Sequence, residues 1–209
     1  MDAITTSSEL TIQNNKDTIM VCFGGFALKM GGIAPYDFLK FITTKFPEVD
    51  KIFYRDTQQM CYHFGIDNIS KDIDTTVNYL KTEINNYKRV IFTGTSAGAY
   101  AALLYGSLLN VTDVLVFNPV TILYGRKDLY NLKYIDLSKN NIINNTTNYY
   151  LCGDKSIKNE NDSHHIKHCI NISNYRNVKI MYKNGLDLRQ MRESGELYNI
   201  YKSVIDIRY

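Results

Sequence analysis

The residues best suited to chemistry lie in KRVIFTGTSAGAYAALLYGS, residues 88–107, where an apolar run meets Gly94-Thr95-Ser96-Ala97-Gly98 and then a run of small residues. A serine at a turn between strand and helix is a nucleophile when a base can take its proton. The glycines serve geometry. So tight a turn strains the serine backbone and brings neighbouring chain close, so positions 94 and 98 must lack side chains. The Ala97 N–H and the helix N-terminus can then meet a developing oxyanion. A second donor is expected from the turn Gly24-Gly25-Phe26, which makes Gly25, Phe26 and Ala97 the expected oxyanion hole.

A base and an acid must join the serine. The chain holds four histidines, His63, His164, His165 and His168. His164 and His165 directly follow Asp162, and His63 lies in the loop after a predicted strand, so each of these three can reach the same rim. His168, beside Cys169, reads as a helix flank. The cluster His164, His165, His168 and Cys169 supplies too few convergent ligands from one short helix, so no metal site is expected. Neither a Gly-x-Gly-x-x-Gly after a strand nor a Gly-Lys-Ser/Thr phosphate loop occurs, and no cofactor is expected.

The elements that position these residues alternate. Thr18–Phe23, Lys51–Tyr54, Val90–Thr93, Val114–Phe117, Tyr149–Cys152 and Val178–Tyr182 read as strands. Between them, Pro35 opens a helix with Phe38, Phe41 and Ile42 at helical spacing. Ser70 begins another, capped by that serine and striped by Ile73, Val77, Leu80, Ile84 and Tyr87. Ala97–Leu109 is a small-residue helix, and Leu197, Ile200, Tyr201 and Val204 align on a last one. The pattern predicts an α/β fold, a mostly parallel sheet flanked by helices on both faces, as a single domain over 17–209. Residues 1–16 read as a flexible lead-in. Residues 120–145, polar and rich in asparagine, read as an irregular cap segment, with Arg126 and Lys127 able to select a polar or anionic substrate. In parallel sheets ligands gather beyond the strands' carboxyl ends, so the loops at 24–34, 55–65, 94–98, 118–121, 153–163 and 183–187 are expected on one rim.

Net charge is +3, with the charges scattered and no basic cluster interleaved with aromatics, so no nucleic-acid partner is expected. Apolar runs are of strand length, so no membrane span is expected. Residues 1–17 lack the apolar core of a signal peptide. Cys22, Cys61, Cys152 and Cys169 show no Cys-x-x-Cys spacing and fit a reducing, cytoplasmic location. The expected partner is a small-molecule ester or acyl substrate.

The sequence resembles the α/β-hydrolase family through FGG at 23–25, GTSAGAYAALL at 94–104 and FNP at 117–119. More loosely, Arg55-Asp56 through TQQMCYHFGI is similar to an Arg-Asp…Trp-Tyr…Gly pattern of compact esterases, with Cys61 in an aromatic's place. Asp162-Ser163-His164-His165 and LRQMRESGEL at 188–197 look like the same relatives. The resemblance implies a serine hydrolase of esterase type with serine, acid and histidine in that chain order. It puts the acid after the strand TNYYLC, with Asp162 the first choice and Asp154 the second, since Ser156 stands where the acid often falls. It puts the histidine in 177–190, NVKIMYKNGLDLRQ, which has none. The assignment adopted is Ser96, Asp162 and His165, with His63 and His164 as alternative bases. The competing reading is an impaired relative that serves as a binding or interaction module.

Overall fold

The computed structural model describes residues 2–5, 8–14, 16–26, 36–124 and 130–207. Its amino end is not a lead-in. Strands β1 (Asp2–Thr5) and β2 (Glu9–Gln13) pair antiparallel with each other, and β2 pairs antiparallel with β4 (Asp50–Tyr54). The sequence hides β2 because its inward residues are partly polar. Glu9 and Thr11 are buried together, with the Thr11 hydroxyl donating to Glu9 Oε1 at 3.3 Å and Tyr79 Oη donating to Glu9 Oε2 at 2.6 Å. A distant tyrosine makes the buried carboxylate tolerable.

The remaining strands are β3 (Thr18–Phe23), β5 (Arg89–Thr95), β6 (Asp113–Phe117), β7 (Asn148–Asp154) and β8 (Val178–Lys183). The eight-stranded sheet runs β1-β2-β4-β3-β5-β6-β7-β8, and every pairing from β4 to β8 is parallel. The predicted mostly parallel, helix-flanked sheet is therefore present.

Alternation along the strands divides the core in two. Val21, Phe23, Phe92, Val116 and Leu151 face helices α2 (Ile73–Ile84) and α3 (Ala97–Leu109). Met20, Cys22, Leu115, Phe117 and Cys152 face α1 (Leu39–Lys45) and α6 (Glu196–Ile205). The short α4 (Lys167–Ile170) lies on the first side through Cys169, and α5 (Leu188–Glu193) on the second through Met191. On α6, Leu197, Ile200, Tyr201 and Val204 are all buried, as their spacing predicts. Burial of each contributes roughly 1.5–3 kcal/mol.

Two boundaries differ from expectation. Asp72 caps α2, accepting from Thr75 N while Thr75 Oγ1 answers the Asp72 N–H, and Ser70 Oγ instead accepts from Ile66 N at 2.8 Å. Helix α1 starts at Leu39, and Pro35 lies outside the described residues.

The segment after β6 is irregular, with an isolated Ile122–Asp136 bridge and a 3-10 turn at Leu132–Tyr134. It is not only a covering, however, because Tyr134, Leu137, Ile142 and Ile143 are buried in the core beside α3. Apolar anchors at uneven spacing leave no period to read. Arg126 and Lys127 lie outside the described residues. No helix is long and apolar enough to cross a membrane.

Candidate active site

Ser96 ends β5 and starts α3 with φ 55° and ψ −119°, a left-handed backbone rarely adopted by a side-chain-bearing residue. The glycines around it are obligatory. A Cβ on Gly94 would fall 2.4 Å from the Gly98 carbonyl, and one on Gly98 would fall 2.1 Å from Phe23 O. The turn is fixed by Ser96 N donating to Phe117 O and Tyr100 N donating to Ser96 O. Helix α3 can lie this close because eleven of its residues, Ala97 to Ser107, are buried against the sheet. A serine at this position commonly caps the helix, yet Ser96 makes no side-chain cap bond.

Its hydroxyl meets a histidine instead. His164 Nε2 lies 2.8 Å from Ser96 Oγ. This imidazole belongs to the residue before the expected His165, whose Nδ1 accepts from Lys167 N at 3.2 Å and whose backbone bridges Asp154. The physical reason is a turn: Asp162 Oδ1 accepts from His164 N at 2.8 Å and Asp162 O accepts from His165 N at 3.1 Å, which sets the side chain of 164 toward the serine.

The other histidines are occupied. His63 is buried, with Nδ1 accepting from Asn131 N at 3.0 Å and Nε2 at 2.8 Å from Tyr100 Oη, which donates onward to Tyr134 O. His168 is buried with Nδ1 accepting from Thr121 N at 3.1 Å. Burial brings both imidazoles down to about 4, helped at His168 by the positive charge of neighbouring Lys167.

The two candidate acids do different work. Asp154 accepts from Ser156 N and Oγ, from Gly185 N at 3.0 Å and from Leu186 N at 2.7 Å. Burial opposes its ionisation, but the bonds from Ser156, Leu186 and Gly185 outweigh it and hold the carboxyl down to about 2. Asp162 reaches the backbone of His164 and not its ring. Among the described residues nothing accepts a hydrogen bond from His164 Nδ1.

The expected oxyanion donors divide likewise. Ala97 N–H sits at the start of α3, and the Gly24-Gly25-Phe26 turn follows β3 beside Ser96. A Cβ on Gly25 would stand 3.7 Å from Ser96 Cβ and 3.0 Å from Thr95 O. Gly25 N, however, donates to Asp37 Oδ2 at 2.8 Å, so it is already occupied. Sequence reasoning missed Asp37, since one aspartate in an apolar stretch carries no motif. The Arg55-Asp56 pattern supports the turn from behind. Buried Asp56 accepts from Met60 N and Tyr62 N, folding a loop in which Gln59, Cys61 and Tyr62 all have positive φ. Tyr62 Oη then donates to Gly24 O at 3.0 Å.

No protein-family model matches the sequence, and no curated protein matches it. Solved structures do match in fold. A capsule O-acetyltransferase of Neisseria meningitidis serogroup A superposes with a TM-score of 0.66 at 17% identity, over 98% of this chain and 94% of that one. An α/β hydrolase enzyme from a Medee basin deep-sea metagenome library gives 0.62 at 11% identity over 100% and 98%. Mouse alpha/beta hydrolase domain-containing protein 10 gives 0.58 at 12% over 98% and 96%. Sheet order, the serine turn and these likenesses agree: the chain has the α/β-hydrolase fold.

Proposed function

We propose that the chain is a serine-dependent acyl-transfer enzyme of esterase type, in which Ser96 is the nucleophile and His164 the base. The supporting observation is the 2.8 Å approach of His164 Nε2 to Ser96 Oγ at a strained strand-to-helix turn. With the ring proton on Nδ1, Nε2 is the acceptor for the serine hydroxyl. Ser96 Oγ bonds to the acyl carbon as its proton passes to Nε2, and the leaving alkoxide takes that proton as the ester C–O bond breaks. A second hydroxyl then attacks the acyl-serine and gives its proton to His164, which passes it to Ser96 Oγ as the bond between Oγ and the acyl carbon breaks. Backbone N–H groups of Ala97 and the 24–26 turn hold the negative oxygen of each tetrahedral intermediate.

The second hydroxyl decides between hydrolysis and transfer. Water gives an esterase, and another acceptor hydroxyl gives an O-acyltransferase; the Neisseria protein of similar fold is named a capsule O-acetyltransferase. The site chemistry is common to both.

A fluorophosphonate probe tests the reading. The wild type should label at Ser96, the Ser96→Ala protein should not, and His164→Ala should label at least about a thousandfold more slowly. His165→Ala should label within about threefold of wild type, since its ring touches backbone. An unlabelled wild type sinks the enzyme and leaves a binding module. Loss on replacing His165 but not His164 moves the base.

A further inference from the structure

We infer that Asp37 is a positioning residue for the oxyanion turn, holding Gly25 so that Phe26 N–H is the donor this turn presents. The inference rests on the acyl-transfer reading of Ser96. Its basis is where the three N–H groups of Gly24-Gly25-Phe26, and the carbonyls of Gly24 and Phe26, are directed. Gly24 N donates to Tyr54 O at 2.9 Å, and Gly24 O accepts from Tyr62 Oη at 3.0 Å. Gly25 N donates to Asp37 Oδ2 at 2.8 Å, and Phe26 O accepts from Gln59 Nε2 at 2.9 Å. Among the described residues the N–H of the turn left without an acceptor is that of Phe26.

A free N–H beside a nucleophile is what a developing oxyanion requires, and its value depends on being fixed before the reaction. The turn is fixed from several sides. Position 25 also lies close to the end of β5: a Cβ there would stand 3.0 Å from Thr95 O, so any side chain would press the turn away from it. Tyr62 holds Gly24, and that tyrosine is itself set by Asp56. Asp37 supplies the remaining hold, from beyond the 27–35 stretch. Its carboxylate accepts a charge-assisted bond, which is shorter and stronger than a neutral one. The sequence expectation of Gly25 as a donor is thereby replaced: its N–H serves Asp37, and Phe26 serves the substrate.

Labelling rate with a fluorophosphonate, measured alongside hydrolysis of a small aryl ester, tests this. Asp37→Ala should slow labelling about tenfold to a hundredfold, with the loss in kcat and little change in KM, because the contact matters in the transition state. Asp37→Asn keeps an acceptor oxygen for Gly25 N and should restore the rate to within about threefold of wild type. Gln59→Leu, at a half-buried surface position, should slow labelling a few-fold without loss of fold. If Asp37→Ala does not fold, the Asn and Gln59→Leu proteins decide: a slowed Gln59→Leu with a near-normal Asn variant supports the assignment. Asp37→Ala labelling as fast as wild type, an Asn variant as slow as Ala, or a loss expressed only in KM overturns it. A wild type that does not label at Ser96 is a different result, since it removes the acyl-transfer reading on which the inference stands.

Discussion

Two rim loops of this molecule invite comparison, the one after β7, residues 155–166, and the one after β8, residues 184–187. The resemblance in sequence puts the base in the second, and the structure puts an imidazole on Ser96 from the first. The second loop is tied to the end of β7 and to the start of α5. Gly185 N and Leu186 N donate to Asp154, and Asp187 accepts from Arg189 N and Gln190 N to start α5. The first is longer and returns over β5, where the turn at Asp162 delivers His164. Ser–His chemistry is defined by geometry and not by chain position, so a base arriving from the neighbouring loop is equally serviceable. In this molecule the two loops share the rim, and the imidazole that reaches Ser96 comes from the first of them.

The sharpest way to break that comparison is to remove Asp154. If this carboxylate is a lock on the second loop, Asp154→Ala leaves the Gly185, Leu186 and Ser156 donors without their acceptor and destabilises by roughly 2–4 kcal/mol. Acyl-enzyme formation in the protein that remains folded should stay within a few-fold of wild type. Denaturant unfolding and probe labelling separate these effects. A stable Asp154→Ala protein with labelling lost a thousandfold returns Asp154 to the role of acid.

Acid sharpens the comparison from the side of the supports. The stretch following His164 is anchored by His168, and the segment after β6 by His63; both rings are neutral acceptors brought by burial from 6.5 to about 4. The unfolded chain binds these protons first, so each histidine's contribution is complete above pH 6.5 and is lost as pH falls through about 4. Each is worth on the order of 3 kcal/mol at full loss. Asp154 behaves differently: its carboxyl is held from 3.8 down to about 2, so its lock persists until the pH falls through that value. Hydrogen exchange should show residues 164–170 loosening between pH 6.5 and 4 while Gly185 and Leu186 stay protected. Simultaneous loss of both regions would show that the loops do not stand on separate supports.

How far these loops could be read in advance follows from what each needs. The serine turn is legible because strain at Ser96 demands glycine at 94 and 98, and that demand is local. The inner parallel strands β3 to β7 are legible because burial on both faces makes them largely apolar runs, whereas β8, at the edge, is only partly buried. Strand β2 is not legible, since Glu9 is made tolerable by Tyr79 from another element. The choice between His164 and His165 turns on one Asx turn, which alternating hydrophobicity does not encode. Asp37 and Asp154 look like ordinary loop carboxylates until the N–H groups that reach them are placed in space.

The smallest effect, and the most discriminating, belongs to Asp162. A triad acid accepts the Nδ1 proton of the base, fixes its tautomer and stabilises the imidazolium, and its replacement by asparagine costs roughly ten-thousandfold. In this structure Asp162 Oδ1 instead accepts from the backbone N–H of His164. Asparagine makes the same turn with its own carbonyl oxygen, so Asp162→Asn should label within about threefold of wild type. Asp162→Ala loses the turn and should cost about 1 kcal/mol in local order, comparable to an N-cap, with a loss of up to about tenfold in rate. The pH dependence of labelling should keep its shape in both variants, because neither changes what touches the ring. A collapse in the asparagine variant would mean that the carboxylate swings onto Nδ1 during turnover, and the loop after β7 would then supply acid and base together.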